Sequence, residues 1–277
     1  MLLQAVAPGV LKAEDLSPTV SVEGQYTGRG NVRNDQGAVA ISTVSVVASM
    51  LPVTVEYDVS KYDWHNIRRL PFGDKQHEPW DTLHLLSFTF DYARNISGSW
   101  GVFGEAVAFS GYEEELSGSL GLNLTGGLSY EFGPGLKLNV GATGLFHRVH
   151  SRPMPVVRLD LNQDARQGFS ASLGFPENTV AYRFDKTYAL RLAQTFDDTI
   201  YRLADDNSIG HKAYLESVGV TSGLYLDYTP LPGLTGTIGA QYVLHREFST
   251  YNTNGNKLDT FSLSNAPGGL MHLEYKF

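Results

Sequence analysis

The sequence lacks cysteine, and it lacks any long apolar run. The absence of cysteine from all 277 residues excludes disulfides, thiolate metal sites and cysteine nucleophiles, and suits a compartment in which thiols are oxidised. No window reaches the roughly 18 apolar residues that a transmembrane helix needs, which excludes a helical membrane span. Basic residues are also few, because 21 Lys and Arg stand against 29 Asp and Glu. The net charge of −8 provides no basic field and excludes nucleic acid as a partner.

Aromatic residues and glycine are abundant instead. The chain contains 15 Tyr, 14 Phe, 3 Trp and 29 Gly, and 42% of its residues are hydrophobic. This composition favours short strands and tight turns over helices, and it excludes a wholly disordered chain. A transmembrane β-barrel needs only about 9 to 11 residues per strand with one apolar face, so the lack of long apolar runs is no objection to it.

Apolar and polar residues alternate with period two, most clearly in the last strand. Met271, Leu273, Tyr275 and Phe277 fall on one face there, and polar residues fall on the other. A soluble sandwich would show the same pattern in any single strand. The alternation recurs over residues 82–93, 120–131, 136–147 and 237–245, where the second face carries Gly, Ser, Thr and Asn rather than many Lys and Glu. That composition favours a wet lumen over the exposed face of a soluble protein.

The connections alternate between six short turns and seven longer loops, which gives 14 strands. The even number and the alternation are typical of an antiparallel up-and-down transmembrane β-barrel with short periplasmic turns. Twelve strands is the alternative, because two short segments near Phe175 could form one bent pair. We predict a single all-β barrel over residues 17–277. Residues 1–16 are predicted to be an N-terminal tail or the remnant of a signal sequence.

Two groups of residues carry a resemblance to known proteins. The terminal Phe277 and the apolar residues behind it at steps of two resemble the strand that outer-membrane barrels present to their assembly machinery. The segments 174–177, 182–184, 190–192 and 201–203 (GFPE, YRF, LRL and YRL) are similar to an uncharacterised family of porin-like outer-membrane barrels of Gram-negative bacteria. The resemblance covers residues 168–277. It implies the bacterial outer membrane as the location, and lipid, lipopolysaccharide and the assembly machinery as partners, but no activity.

The alternation also predicts which charged side chains point inward. If the aromatic residues face outward, the lumen is lined by Glu23, Glu56, Asp58, Asp91, Glu131, Lys137, Arg158, Arg183, Arg191 and Asp227. In a ring of 14, the acidic strands one, three and four lie opposite the arginines of strands eight, ten and eleven. Such a transverse field is typical of channel constrictions and predicts a porin-like channel for small polar or charged solutes. A closed structural barrel, in which the same groups pair, is the alternative.

Candidate catalytic residues are sparse. Asp63 and His65 share a strand face, but no serine stands in a nucleophile setting, so we predict no enzyme, with a surface hydrolase as the weakest alternative. Trp64 is interpreted as an interfacial aromatic, and the long loop from His65 to Asp81 is expected to rest on the rim rather than fold inward. The scattered histidines predict no metal site and no cofactor.

Overall fold

The computed structural model describes residues 17–33, 35–163 and 165–277. The tail predicted for residues 1–16 lies outside these ranges. The strands are β1 (Thr19–Asn31), β2 (Ala38–Met50), β3 (Val53–His65), β4 (Thr82–Ser97), β5 (Trp100–Tyr112), β6 (Leu120–Gly133), β7 (Leu136–His147), β8 (Ser151–Leu161), β9 (Gly168–Phe175), β10 (Glu177–Arg183), β11 (Tyr188–Arg202), β12 (Tyr214–Leu231), β13 (Leu234–Tyr251), β14 (Lys257–Leu263) and β15 (Ala266–Lys276). A 3₁₀ turn covers Ile67–Arg69. Within the described ranges, no helix is long and apolar enough to cross a bilayer.

The strands form one closed antiparallel ring. Each strand from β1 to β13 pairs with the next, and β15 pairs with both β13 and β1. The extra segment, β14, continues the edge that β15 forms along β13. The register is the same for both, since Val243 faces Ala266 of β15 and Arg246 faces Leu263 of β14. The ring therefore has 14 strands, as predicted, and the 12-strand alternative is wrong. We call the end with the short turns the turn end and the opposite end the loop end.

The outer surface carries the apolar side chains that the alternation predicts. Val44, Phe88, Leu124 and Met271 are among many large hydrophobic residues exposed on the outside of the ring. A soluble protein does not expose a contiguous apolar surface of this extent, whereas lipid-facing strands require it. At the turn end, Trp100 packs edge-on against Tyr130 with ring centroids 4.8 Å apart, as in the aromatic girdle of a membrane barrel.

The barrel wall is shorter at β9 and β10 than elsewhere and does not reach the loop end there. These strands have only 8 and 7 residues, and Pro176 alone connects them. The parts of β8 and β11 nearest the loop end consequently have no neighbour across this gap. The Val157 carbonyl points toward β9, so by period two the nitrogens of Pro153 and Pro155 point into the gap. Because proline has no backbone N–H, neither residue leaves an unpaired donor at this free strand edge.

The loop-end part of the β11–β12 hairpin bends into the barrel. β11 leaves β10 at Thr195 and meets β5 further on, where Arg202 pairs with Tyr112 and the Glu113 amide donates to the Arg202 carbonyl at 2.8 Å. Consecutive residues of the hairpin, Ile200 to Leu203 and Tyr214 to Glu216, are all buried. A strand in a barrel wall would expose every second residue to lipid, so this part of the hairpin lies inside the barrel.

The loop half of the interior is filled by one apolar cluster, which we call the plug. Its residues are Val32, Val39, Tyr62, Trp64, Leu70, Trp80, Leu83, Leu85, Phe109, Leu145, Val149, Ile200, Tyr201, Leu203, Ala213, Tyr214, Leu215, Phe248, Tyr251, Phe261 and Leu263. The connection between β3 and β4, residues 66–81, contributes Leu70 and Trp80 and packs Phe72 against the cluster. We call this connection the mouth loop. It folds inward, contrary to the expectation that it rests on the rim.

Trp64 is a second correction. The expectation placed its ring at the membrane interface, but the side chain is buried in the plug. The alternation itself requires this position, because Glu56, Asp58 and Trp64 are separated by even steps on β3 and all point inward.

Candidate channel interior

The turn half of the interior is polar. Glu23, Glu56, Asp58 and Asp91 lie on inward faces of β1, β3 and β4, and Glu105 on β5 stands directly beside Asp91 in the register. We call these five carboxylates the acid wall. Glu105 was not among the predicted lining residues, although its position opposite Asp91 follows once the β4–β5 register is known.

The two arginines deepest in this half are neutralised by neighbouring carboxylates. Arg191 makes a two-pronged contact with Asp227, with nitrogen–oxygen distances of 3.2 and 3.3 Å, and its guanidinium lies 4.7 Å from the Tyr225 ring centroid. Arg158 lies 3.2 Å from Asp160, a buried residue that was not predicted. Asn139 and Ser172 also donate to the Asp160 carboxylate, each at 2.7 Å. Each arginine is therefore paired with an adjacent carboxylate rather than with one across the lumen.

The carboxylates of the acid wall have fewer positively charged neighbours than Asp160 and Asp227. The His272 ring lies 3.4 Å from Glu23, and Ser87 lies 3.5 Å from Glu56. Within the described ranges, no lysine or arginine lies at ion-pair distance from the carboxylates of Glu56, Asp58, Asp91 or Glu105. The balance of charge in the turn half is consequently negative, in place of the expected opposition of acid and base.

The remaining predicted lining residues lie near the turn end. Glu131 and Lys137 face each other across β6 and β7. Arg183, at the end of β10, is exposed and donates to the Ala165 carbonyl at 2.5 Å. Arg183 therefore sits beside the β8–β9 turn and away from the middle of the lumen, where Arg191 lies.

The plug is held by aromatic packing and a few directed bonds. Trp64 donates its indole N–H to the Trp80 carbonyl at 2.8 Å, and the two rings meet edge to face with centroids 5.0 Å apart. Phe72 stacks on Phe261 at 4.1 Å. Asn207, in the β11–β12 connection, donates to the Pro79 carbonyl at 2.5 Å. The mouth loop is thus attached mainly by its own apolar side chains, with no ion pair to the wall within the described residues.

A polar network links β8 and its preceding connection to the bent hairpin. Tyr251 donates to Glu216 at 2.5 Å, and His150 approaches the second Glu216 oxygen at 3.2 Å. Arg152 pairs with Asp198 across the gap between β8 and β11. This network ties β8 to the hairpin and keeps the bend in place. No local sequence pattern indicates this network, because its members come from four strands and the β7–β8 connection.

Several carboxyl groups in the loops have displaced pKa values, and two of them bear on the inserted segments. Burial raises the pKa of Glu113, which accepts hydrogen bonds from the Ala204 amide and Asn207. Hydrogen bonds from the His77 side chain and backbone lower the pKa of Asp74 to about 2. Glu113 therefore anchors the inserted hairpin.

Asp63 and His65, the candidate catalytic pair, lie close together but have no nucleophile beside them in the described ranges. His65 and Asp63 lie 3.3 Å apart on the loop-end rim, with the Asp63 side chain largely exposed. Within the described ranges, no group of three His, Asp or Glu side chains could hold a metal ion.

The geometry defines a transmembrane β-barrel with a polar turn half and an apolar loop half. No protein-family model and no curated protein matches the sequence. Among solved structures, the chain is similar to a porin, NanC (TM-score 0.44, 11% identity, covering 93% of this chain and 100% of that one). It is also similar to the porin KdgM (0.39, 9%, 93% and 99%) and to the outer membrane protease OmpT of Escherichia coli (0.28, 7%, 98% and 100%). These likenesses are too distant to assign an activity.

Proposed function

We propose that this protein is a porin-like channel of the bacterial outer membrane that passes small polar solutes and is closed at the loop end in the state described here. The apolar outer surface and aromatic girdle suit an outer-membrane barrel, with the short turns in the periplasm and the loops outside. Outer-membrane lipid, lipopolysaccharide and the assembly machinery that reads the last strand are the partners this location entails. No catalytic step forms part of the proposal.

The acid wall is the observation that carries this proposal. A barrel that served only as a scaffold would gain stability by pairing or replacing buried carboxylates, because an uncompensated buried charge is costly. Four carboxylates that have no lysine or arginine at ion-pair distance among the described residues are instead suited to contact with water and mobile cations. We therefore expect the channel to prefer cations over anions.

A closed structural barrel is the second candidate, and the plug is the observation that favours it. Trp80, Phe248 and Leu85 are almost completely buried in the loop half. An apolar filling of this size would stop ions unless the mouth loop moves.

Planar-bilayer recordings separate the two candidates. The wild type and a variant in which residues 67–79 are replaced by a short Gly-Ser linker are compared, with circular dichroism as the check that both contain a barrel. A channel predicts cation-selective current that increases when the linker replaces the mouth loop. If neither folded protein conducts at any voltage, the structural barrel is the better account.

A further inference from the structure

Arg246 is buried, and no hydrogen-bond partner for its guanidinium lies in the described part of the chain. It lies on β13 with 6% of its surface exposed, two residues before Phe248 of the plug. Within the described ranges, none of its three guanidinium nitrogens has a hydrogen-bond partner. The ionisable group that its charge meets is the phenol of Tyr62. A buried guanidinium without an acceptor is rare and unfavourable, so its position requires an explanation.

A second buried arginine shows what the fold does elsewhere. Arg202 is equally buried, but its guanidinium donates to the Leu203 carbonyl and Asp205, and lies 3.8 Å from Glu115. Among the residues that the structure describes, Arg246 has no comparable set of acceptors. Gly30 leaves the space that the guanidinium occupies, because a Cβ at that position would collide with Nη2. The arginine is accommodated sterically while its hydrogen bonds remain unmade.

A second donor, in the plug itself, is also unmatched. The indole N–H of Trp80 has no acceptor within the described ranges. Both rings that flank this region, Tyr62 and Phe248, contact Trp80, with centroid distances of 5.9 and 5.6 Å. One unmatched donor in the plug and another adjoining it favour a ligand that only accepts hydrogen bonds. A carboxylate fits best, since its two oxygens match the planar fork of a guanidinium.

We propose that Arg246 recognises the carboxylate of a small solute that enters at the loop end, and that this contact forms when the mouth loop leaves the plug. In the closed state the guanidinium is enclosed and unpaired. An anion that binds only the open state shifts the population toward that state, by its differential affinity. The inference rests on the proposed channel and adds the chemical class that opens it.

Tryptophan fluorescence tests this directly. A Trp100→Phe background removes the outward-facing tryptophan and leaves Trp64 and Trp80, both in the plug. The folded protein in detergent is titrated with sodium acetate, and in parallel with acetamide and with sodium chloride. Acetate should shift the emission to longer wavelength and increase quenching by acrylamide. Acetamide and chloride should not, because the first lacks charge and the second lacks the paired oxygens.

Variants of the arginine identify the contact. Arg246→Met should weaken the acetate response about tenfold or more, the effect expected from losing charge-assisted hydrogen bonds. Arg246→Lys should fall between the two, because it keeps the charge and loses the fork. Arg148→Met, at an exposed position in the β7–β8 connection, is the matched control and should respond like the parent. Arg246→Gln replaces the methionine variant if that protein does not form a barrel by circular dichroism.

Three results would overturn the inference: no acetate response in the parent, an equal response in Arg246→Met, or an equal response to chloride. If the protein conducts in planar bilayers but acetate does not change its fluorescence, carboxylate recognition is wrong and the proposed channel stands. An acetate effect on fluorescence without any current would remove the channel and leave carboxylate recognition at Arg246.

Discussion

Two inward-facing positions on β2 show how differently the halves of this barrel are built. Ser45, in the turn half, lies in register between Glu23 and Asp58 of the acid wall. Val39, six residues along the same strand and on the same face, is completely buried in the plug. Period two determines that both side chains point inward. It does not determine whether the interior at that depth contains water or protein, which depends on the mouth loop and the bent hairpin.

The largest expected effect comes from the plug. Trp80→Ala should lower the free energy of unfolding by about 3–5 kcal/mol, because it removes a fully buried ring and leaves a cavity. Urea titrations followed by circular dichroism measure this. Trp100→Ala, on the outer surface, should cost about 1 kcal/mol through its contact with Tyr130. Equal losses would show that the loop half is not packed as described.

The acid wall should control selectivity with little effect on folding. Glu56→Gln combined with Glu105→Gln should reduce the cation-to-anion permeability ratio about twofold or more, because neither carboxylate has a described lysine or arginine at ion-pair distance. Reversal potentials in a salt gradient report the ratio, and the difference should shrink as salt screens the charges. Glu114→Gln, on an exposed loop, is the control. An unchanged ratio in the double variant would place the conducting path elsewhere.

The arginines offer a comparison within the turn half. Arg191→Met leaves Asp227 half-buried and without its cation, so stability should fall by about 1 kcal/mol and cation preference should rise. Arg183→Met, beside the β8–β9 turn, should change neither quantity measurably. If Arg183 proved the more sensitive position, the narrow part of the path would lie at the turn end.

The smallest effect is expected in the mouth loop. The pKa of Asp74 is lowered to about 2 by its hydrogen bonds with His77. The stabilisation by this contact is therefore present above the ordinary pKa near 3.8 and is lost as pH falls toward 2. Asp74→Asn should flatten the pH dependence of the unfolding midpoint between those values and leave conductance unchanged. An altered conductance at pH 7, or a pH dependence of the midpoint as steep as that of the parent, would contradict this assignment.

The sequence was sufficient for the architecture because every wall strand repeats the same pattern. Fourteen strands, the alternating turns and loops, and the inward direction of Glu56, Asp58 and Arg191 all follow from period two and turn residues. The inward position of Trp64 follows from the same pattern, so its expected place at the interface is wrong on the sequence alone.

Other features depend on contacts that no local pattern contains. A bulge in β13 near Leu244 reverses the alternation, so that Arg246 and Phe248 point inward although Tyr242 points outward. The insertion of the β11–β12 hairpin depends on the shortness of β9 and β10 and on pairing with β5, which is remote in sequence. The expected opposition of acid and base across the lumen is not found, because Asp160 and Asp227 neutralise the arginines. Period two does not reveal these pairings.

The central claim is that the turn half contains water and the loop half does not. Because the chain has no cysteine, Ser45→Cys and Val39→Cys each place a single thiol on the same face of β2. A charged, membrane-impermeant thiosulfonate is applied to each folded protein, and modification is followed by mass spectrometry. The account predicts rapid modification at position 45 and modification at position 39 only after unfolding. Equal rates at the two positions in the folded protein would contradict it.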